Sequence, residues 1–411
     1  MKAVILAAGE GKRMHPLTFT RPKAMVYTGG KPLVWHVLHE VKKAGINEAI
    51  VIVKYRKEKI LEYFRTNDIG MKLEFIEQDE KYGTGAALLS AEGKINNTFL
   101  VISSDIITDA SVIKELIAFH QDRYQQEKGI TVAAKTVENP KSYGVLQVNN
   151  EKVTCVKEKP ESPDRSDSNL INTSIYVMDE TIFPKLEAIT PSVRREYELT
   201  DVLVGAKCIE IHGFWTDIAY PWQLFDVQDY LLQRMEANAV CGGKVENSTI
   251  KGKLIMEKDA EIFDSYIGEG IHYIGEGTKI GPHSCLYGNN SLGKYCEIGE
   301  STTVKNSILF DNVKAKHLTY IGDSIIGENV NFGAGTQIAN YRFDEKVVSV
   351  LTESGLVNTE RKKFGAVVGD NVKFGVLSCV MPGKTIENEC WVNSGVVVNK
   401  NFKNFLSKGS E

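Results

Sequence analysis

The chain has 411 residues, 42% of them hydrophobic and 25% charged, with a net charge of −4 and a pI near 6.1. This length predicts two domains, and the slight acidic excess argues against binding to nucleic acid or a membrane surface. No apolar stretch approaches the roughly 20 residues that span a bilayer, and the N-terminal apolar run is too short for a signal peptide. The seven cysteines form no CxxC pair, so we expect a reduced cytoplasmic protein.

The first half alternates predicted strands and helices. Short apolar runs predict strands at residues 2–7, 49–53, 73–76 and 99–103. Helical spacing of apolar residues predicts helices at residues 34–44, 60–64, 85–91 and 111–126. This alternation predicts an α/β domain with an open, mostly parallel, Rossmann-like sheet, whose ligands lie beyond the carboxyl ends of the strands.

The second half follows a different pattern. Aliphatic or aromatic residues followed by glycine recur at steps of about six, as in Ile274-Gly275, Ile280-Gly281 and Ile298-Gly299. One apolar side chain pointing inward and a tight corner, repeated, predict a parallel β-helix built of stacked coils. We place the domain boundary between residues 238 and 239, which gives an α/β domain at 1–238 and a β-helix at 239–411.

The first strand leads into a candidate phosphate-binding turn. Small residues there allow backbone N–H groups to approach phosphate oxygens, and the residues concerned are Leu6, Ala8, Gly9 and Gly11. Glycines after a strand are also found in ordinary tight turns. Arg13 and Lys23 add the positive charge that bound phosphates require, which makes the combination more specific than the glycines alone.

These residues resemble the signature of the sugar-1-phosphate nucleotidylyltransferase family, LAAGxGxR followed by PK. The resemblance continues through Gln78 with Gly83 and Thr84, which match a base-recognition segment, and through Asp105 at the end of a strand. It extends to the family's sugar-phosphate and second metal positions, at Tyr143, Gly144, Glu158, Lys159, Asn172 and Asp217.

The resemblance implies a reaction that needs charge neutralisation rather than a general base. A sugar-1-phosphate oxygen, already an anion, attacks the α-phosphorus of UTP or dTTP and pyrophosphate leaves. Asp105 and Asp217 would hold Mg²⁺, Arg13 would neutralise pyrophosphate, and Lys23 would hold the α-phosphate. Taken singly, each of these residues also has an ordinary structural interpretation. A strand-end aspartate such as Asp105 is often only a helix cap. Glu158 and Lys159 could form a solvated surface pair, and Asp217 could be a structural hydrogen-bond acceptor.

The second half resembles the acetyltransferase domain of the bifunctional N-acetylglucosamine-1-phosphate uridylyltransferase/glucosamine-1-phosphate acetyltransferase family, archaeal members above all. That resemblance implies a left-handed β-helix that forms trimers and uses acetyl-CoA, with His317 as the general base that deprotonates the sugar amine. Further site positions by this resemblance are Lys305, Tyr320, Asn331, Ala334, Asn340, Tyr341, Lys363 and Ser394.

One position departs from this pattern. Tyr287 stands where the bacterial members carry an arginine for the sugar phosphate, and a tyrosine cannot form a charged fork with phosphate. Lys305 and Lys363 then have to supply the charge, or acetyl transfer is weak, altered in its substrate, or absent. A histidine at a coil corner such as His317 is also compatible with a purely structural role.

Three functions therefore stay open at this point. The leading hypothesis is a bifunctional enzyme that makes UDP-N-acetylglucosamine from glucosamine-1-phosphate, acetyl-CoA and UTP (or the deoxythymidine equivalent). The second is a monofunctional glucose-1-phosphate uridylyl- or thymidylyltransferase with a non-catalytic, trimerising β-helix. The third is a non-catalytic sensor or scaffold, against which the presence of Arg13, Lys23, Asp105 and Asp217 argues.

Overall fold

The computed structural model describes residues 1–124, 128–159, 168–235 and 242–403. The predicted boundary between residues 238 and 239 lies outside these ranges. The chain forms two compact units: the first comprises residues 1–10, 21–25 and 33–218, and the second residues 11–20, 26–32 and 219–411. In the described ranges, no helix combines the length and apolar character needed to cross a membrane.

Within the described residues, the first unit is built on a nine-stranded sheet. Its strands, with a short pair beside them, are β1 Lys2–Ala7, β2 Glu48–Val53, β3 Lys72–Glu77, β4 Phe99–Ser103, β5 Ile106–Thr108, β6 Thr131–Thr136, β7 Gly144–Asn149, β8 Lys152–Glu158, β9 Leu170–Met178, β10 Lys207–Glu210 and β11 Trp215–Asp217. The order across the sheet is β3-β2-β1-β4-β9-β6-β10-β8-β7, and β5 pairs with β11.

Parallel pairing of β3, β2, β1 and β4 forms the half of the sheet that the sequence predicts, and β8 and β9 run against the other strands. The interior residues of β1 and β2 are almost completely buried because helices cover both faces. The α-helices of this unit are α1 Leu33–Lys43, α2 Lys57–Thr66, α3 Thr84–Leu89, α4 Ala110–Tyr124 and α5 Ile182–Glu187. The prediction of a Rossmann-like, mostly parallel sheet is confirmed.

In the part of the second unit that the structure describes, there are three parallel sheets of eight, eight and seven strands. The first sheet consists of Lys244–Glu246, Glu261–Phe263, Lys279–Ile280, Glu297–Glu300, Lys314–His317, Asn331–Phe332, Lys373–Phe374 and Trp391–Val392. The second consists of Thr249–Ile250, Tyr266–Ile267, Cys285–Tyr287, Thr303–Lys305, Tyr320–Gly322, Gln337–Ile338, Cys379–Val380 and Val397–Val398. The third consists of Lys253–Met256, Ile271–Ile274, Asn290–Leu292, Ile308–Leu309, Ile325–Ile326, Ala366–Val368 and Lys384–Ile386.

Each turn of the chain adds one strand to each sheet, so the unit is the predicted left-handed β-helix. The apolar residues that precede glycine in the repeat point into one shared core; Ile274, Ile280 and Ile321 are fully buried there. Between the strands ending at Ile338 and beginning at Ala366, the coil is interrupted by a hairpin of Ser349–Thr352 and Gly355–Asn358.

Helix α6, Leu224–Arg234, belongs to the same unit as the β-helix. Gln228 is buried, and it donates to Asn289 O at 3.0 Å and accepts from Ser291 Oγ at 2.6 Å. Arg361, beside the inserted hairpin, pairs with Asp226 and lies over the ring of Phe225. The helix is thus fastened to the coils by polar and aromatic contacts.

Candidate functional site

Two aspartates meet where strands of the first unit end. Asp105 lies two residues after the end of β4. Asp217 ends β11, whose antiparallel pairing with β5 sets Asp217 opposite Ile106. The backbone N–H of Ile218 also donates to Asp105 O at 3.3 Å. Backbone pairing therefore brings together two carboxylates that lie far apart in the sequence.

Lys23 lies between these two carboxylates. Its ammonium donates to Asp105 Oδ2 and lies 3.8 Å from Asp217 Oδ1, and its side chain is only 13% exposed. One cation thus already bridges the pair, and oxygen donors of this kind suit a hard divalent ion. Within the described residues no group of three or more carboxylate, imidazole or thiol side chains forms a metal site. The two aspartates fit a divalent ion only if phosphates or water complete its coordination.

A cavity of about 180 Å³ adjoins Lys23 and Asp105. Its lining comes from the turn after β1, the loop before α3 and the end of β4, and comprises Leu6, Ala8, Gly9, Lys23, Gln78, Tyr82, Gly83, Thr84, Ala87, Ser103, Ser104, Asp105 and Glu196. Six of the seven predicted nucleotide-binding residues are in this set. Tyr82 and Glu196 are additions that sequence reasoning missed.

Gly11 and Arg13 belong to the second compact unit. Gly11 has a left-handed backbone, with φ of 77°, and begins the single turn Lys12–Met14. The exposed Arg13 places its guanidinium 5.5 Å from the centre of the Tyr220 ring. Their roles toward phosphate stay predictions.

The loop before α3 is fastened to the segment around Tyr197. The backbone N–H of Tyr197 donates to Tyr82 O at 2.8 Å, and its carbonyl accepts from Gly85 N at 2.8 Å. Thr84 Oγ1 accepts from Leu199 N at 3.0 Å. Gly83 is required at this crossing, because a Cβ there would lie 2.4 Å from Tyr197 O.

The predicted sugar-binding residues form a second group on neighbouring strands. Gly144 pairs with Glu158 across β7 and β8, and a Cβ on Gly144 would lie 2.7 Å from Glu158 Oε2 and 3.8 Å from Asn172 Cβ. Lys159 N donates to Tyr143 O at 3.0 Å. The absence of a side chain at Gly144 therefore leaves the Glu158 carboxylate and Asn172 facing the same space.

Arg194 is a further residue that sequence reasoning missed. Its guanidinium makes two bonds to Glu198, of 3.1 and 2.6 Å, and reaches Glu158 Oε1 at 3.3 Å. Partial burial raises the pKa of Glu158 above its ordinary value, and the charges of Lys159 and Arg194 oppose that rise. The cluster of two arginines and two glutamates at residues 194–198 was the available sequence signal, although such charge runs are usually solvated faces.

The predicted acetyltransferase residues lie on the coils of the β-helix. In the second sheet, Tyr287 and Lys305 are register neighbours in adjacent coils, so the tyrosine that replaces the expected arginine stands beside a lysine. The backbones of Tyr341 and Lys363 form an antiparallel bridge. Each of these two tyrosines, Tyr287 and Tyr341, therefore stands beside a lysine.

Asn340 is held by a buried carboxylate. Its Nδ2 donates to Asp323, a residue 6% exposed that also accepts from Asn306 Nδ2 at 3.3 Å. Tyr320 and Asn340 both pack against Gly322. A Cβ on Gly322 would lie 2.7 Å from the Tyr320 hydroxyl oxygen and 2.8 Å from Asn340 Nδ2. Asp323 was not predicted as a site residue, but it orients Asn340, which was predicted as one.

His317 lies at a coil corner and is largely exposed. Its Nδ1 is 3.6 Å from Glu300 Oε2, the register partner in the preceding coil, and its carbonyl accepts from Gly335 N at 3.2 Å. Ala334 follows the strand that pairs with the strand of His317, one coil further on, and Ser394 lies against Gly375 in the last coils. Asn331 does not lie at this corner; it is exposed at the start of its strand in the first sheet.

This combination of an α/β domain with a glycine turn, paired strand-end carboxylates and an attached β-helix defines a nucleotidyltransferase with a hexapeptide-repeat domain. The nucleotidyl transferase family model matches residues 2–234, and the model of the GMPPB C-terminal domain matches residues 268–375. A solved structure described as a putative glucose-1-phosphate thymidylyltransferase from Bacillus anthracis superimposes with a TM-score of 0.50 at 26% identity, covering 57% of this chain and 96% of that one.

Full-length relatives narrow the assignment. The bifunctional protein GlmU of Methanocaldococcus jannaschii is 38% identical, over 100% of this chain and 98% of the relative. The bifunctional sugar-1-phosphate nucleotidylyltransferase/acetyltransferase of Sulfurisphaera tokodaii is 40% identical, over 97% and 98%. The chain belongs to this family of bifunctional GlmU-type proteins, and the sequence-based prediction of the family is confirmed.

Replacement of Gly83 by alanine should damage the cavity beside Lys23 and Asp105, where we expect the nucleotide to bind. The added Cβ meets Tyr197 backbone atoms, and φ at Gly83 is 124°, so we expect a loss of about 1–3 kcal/mol in stability and weaker nucleotide binding. Gly45→Ala is the matched control, because φ there is 97° and nothing lies within 4 Å of the added Cβ. Calorimetric titration of nucleotide and thermal melting check this; equal nucleotide affinity in both variants would contradict it.

Arg194→Met should change the pH dependence of sugar-phosphate use. Removal of the guanidinium raises the pKa of Glu158 further, so the carboxylate is lost at higher pH. The acid limb of kcat/KM for the sugar phosphate should move up by roughly half a pH unit to one unit. The neighbouring exposed Arg195→Met serves as the control. An unshifted limb in Arg194→Met would refute the link between the two residues.

Proposed function

We propose that the first unit transfers a uridylyl group, or a deoxythymidylyl group, from the nucleoside triphosphate to N-acetylglucosamine-1-phosphate. The observation that carries this proposal is the meeting of Asp105 and Asp217 at one ammonium, beside the cavity lined by the glycine turn and by Gln78 and Gly83. The sugar-phosphate oxygen bonds to the α-phosphorus, the bond from that phosphorus to the bridging oxygen breaks, and pyrophosphate leaves.

Residues of this chain supply charge and orientation for that step. Asp105 and Asp217 hold Mg²⁺, which neutralises phosphate charge when bound. Lys23 turns from the carboxylates to the α-phosphate, and Arg13 neutralises the departing pyrophosphate. Gln78, whose Nε2 donates to Lys81 O at 2.8 Å, is held in place for the pyrimidine edge.

The sugar phosphate is oriented by the second group of residues. Glu158 accepts from sugar hydroxyls, Asn172 contacts the 2-substituent, and Lys159 pairs with the phosphate. The side chain of Asn172 is already fixed, since Nδ2 donates to Tyr176 OH at 2.7 Å and Oδ1 accepts from Ser174 N at 3.1 Å. A buried, preset amide of this kind favours a substrate with its own polar group at that position.

The β-helix acetylates glucosamine-1-phosphate. His317 takes a proton from the sugar ammonium, the amine attacks the thioester carbonyl of acetyl-CoA, and the C–S bond breaks to release the thiol of CoA. Lys305 and Lys363 bind the sugar phosphate, and Asn340, oriented by Asp323, contacts the sugar. The names of the full-length relatives favour this bifunctional assignment over a non-catalytic β-helix.

We also propose an oligomeric state and a cellular location for this protein. Leu377 and Trp391 are each 71% exposed and Leu318 is 60% exposed on the β-helix, where a partner subunit would remove them from water. A homotrimer formed through the β-helix covers it and lets neighbouring subunits share the CoA site. The substrates are metabolites of the cytoplasm, where we place the reaction.

Asp105→Asn should abolish Mg²⁺-dependent pyrophosphate release. The substitution keeps the shape but removes the charge, so we expect a loss of at least about 10²-fold in kcat. Asp122→Asn, on the exposed face of α4, is the control and should retain activity. A coupled pyrophosphate assay with thermal melting checks this, and full activity in a folded Asp105→Asn chain would remove the metal assignment.

His317→Ala should lower acetyl transfer by about 10²–10⁴-fold and leave nucleotidylyl transfer unchanged. The measurement is release of free thiol from acetyl-CoA that depends on glucosamine-1-phosphate. His283→Ala removes another exposed histidine of the β-helix and should have little effect. Wild-type thiol release that survives His317→Ala would disprove the general-base role.

A further inference from the structure

The segment that follows the glycine turn packs with the β-helix. Residues 11–20 continue directly from the turn after β1, yet they form part of the second compact unit. Met14 and Leu17 in this segment are completely buried. The segment carries Gly11 and Arg13, two of the residues assigned to nucleotide phosphates, so its support bears on the first reaction.

Polar contacts fasten this segment to the coils. The hydroxyl of Thr20 donates to the carboxylate of Asp370. The side-chain amide of Asn388, oriented to satisfy both neighbours, donates to Pro16 O at 2.9 Å and accepts from Asp370 N at 3.2 Å. His15 Nδ1 lies 3.5 Å from Glu353 Oε1 in the hairpin insertion. The anchors thus come from two successive coils and from the insertion that precedes both of them in the chain.

Asp370 is a rigid anchor. It is 3% exposed, and its Oδ1 accepts from Glu328 N at 2.7 Å, in the preceding coil. A Cβ on Gly327 would lie 2.4 Å from that same oxygen, so the carboxylate occupies space that only glycine leaves free. Its other oxygen, Oδ2, is the one that Thr20 contacts. A side chain held in this way does not follow the segment if the segment moves.

Hydrogen bonds within residues 11–20 connect the anchored end of the segment to Gly11 at its start. Thr18 Oγ1 donates to Gly11 O at 2.9 Å, and Met14 N donates to the same carbonyl at 2.8 Å. The guanidinium of Arg13 lies over Tyr220, in the same compact unit. Fixing Pro16 and Thr20 therefore also fixes the backbone around Gly11 and Arg13.

We propose that Asp370 and Asn388, residues of the β-helix, are positioning residues for nucleotidylyl transfer. They hold residues 11–20 in place before the triphosphate binds, so that Arg13 is ordered without further cost in conformational entropy. The inference rests on the proposed function, because it takes from it the role of Arg13 toward pyrophosphate. It gives the β-helix a part in the first reaction that is separate from acetyl transfer.

The test uses the reverse reaction, in which the full-length chain cleaves UDP-N-acetylglucosamine with pyrophosphate. Thr20→Val, which removes the hydroxyl, should raise the KM for pyrophosphate about tenfold and leave the KM for the sugar nucleotide within about twofold. Thr20→Ser keeps the hydroxyl and should behave as wild type. Asp370→Ala should raise the same KM, and the double variant should be no worse than Asp370→Ala alone, since both substitutions remove the same contact.

Thr302→Val is the matched control for lost stability. Thr302 is a buried threonine of the β-helix whose hydroxyl donates to Ala315 O at 3.0 Å, away from the segment. The inference is overturned if Thr20→Val behaves like Thr302→Val in both KM values, or if the two KM values rise together in proportion to a lowered melting temperature. A wild-type chain without any pyrophosphate-dependent cleavage would instead overturn the proposed function, and the inference with it.

Discussion

The ammonium of Lys23 between Asp105 and Asp217 is the interaction on which the first site depends. Two carboxylates at adjoining strand ends repel each other, and partial burial increases that repulsion because less water screens it. A lysine from a separate part of the chain balances both charges. The arrangement means that the fold holds a cation position ready, and that phosphates arriving there find positive charge and acidic ligands side by side.

The second half builds its site in another way. Successive coils bring outward residues into columns, so that Tyr287 stands beside Lys305 and Glu300 beside His317. The orientation of a side chain is then fixed by buried polar groups at the corners, as the carboxylate of Asp323 fixes Asn340 by accepting its hydrogen bond. A rigid repeat with a few such supports holds polar residues in place at little entropic cost.

Local periodicity made much of this fold predictable. Apolar runs placed β1 and β4 at their observed bounds, and the six-residue steps found the core positions of the β-helix. The resemblance, rather than spacing, pointed to Asp217, because its pairing beside Asp105 comes from a short two-stranded sheet with no local signature. Arg194 and the hairpin at residues 349–358 were missed for a related reason: contacts made by loops leave no period in the sequence.

The interleaving of the two compact units limits how this enzyme can be taken apart. Residues 11–20 and 26–32 belong with the β-helix, whereas residues 21–25, which include Lys23, belong with the α/β sheet. A gene fragment ending near residue 238 would leave Thr20 and Pro16 without their partners Asp370 and Asn388. Recombination that grafts another hexapeptide domain onto this α/β domain must therefore also bring a compatible N-terminal loop, so the two catalytic halves are expected to diverge as a pair rather than as interchangeable modules.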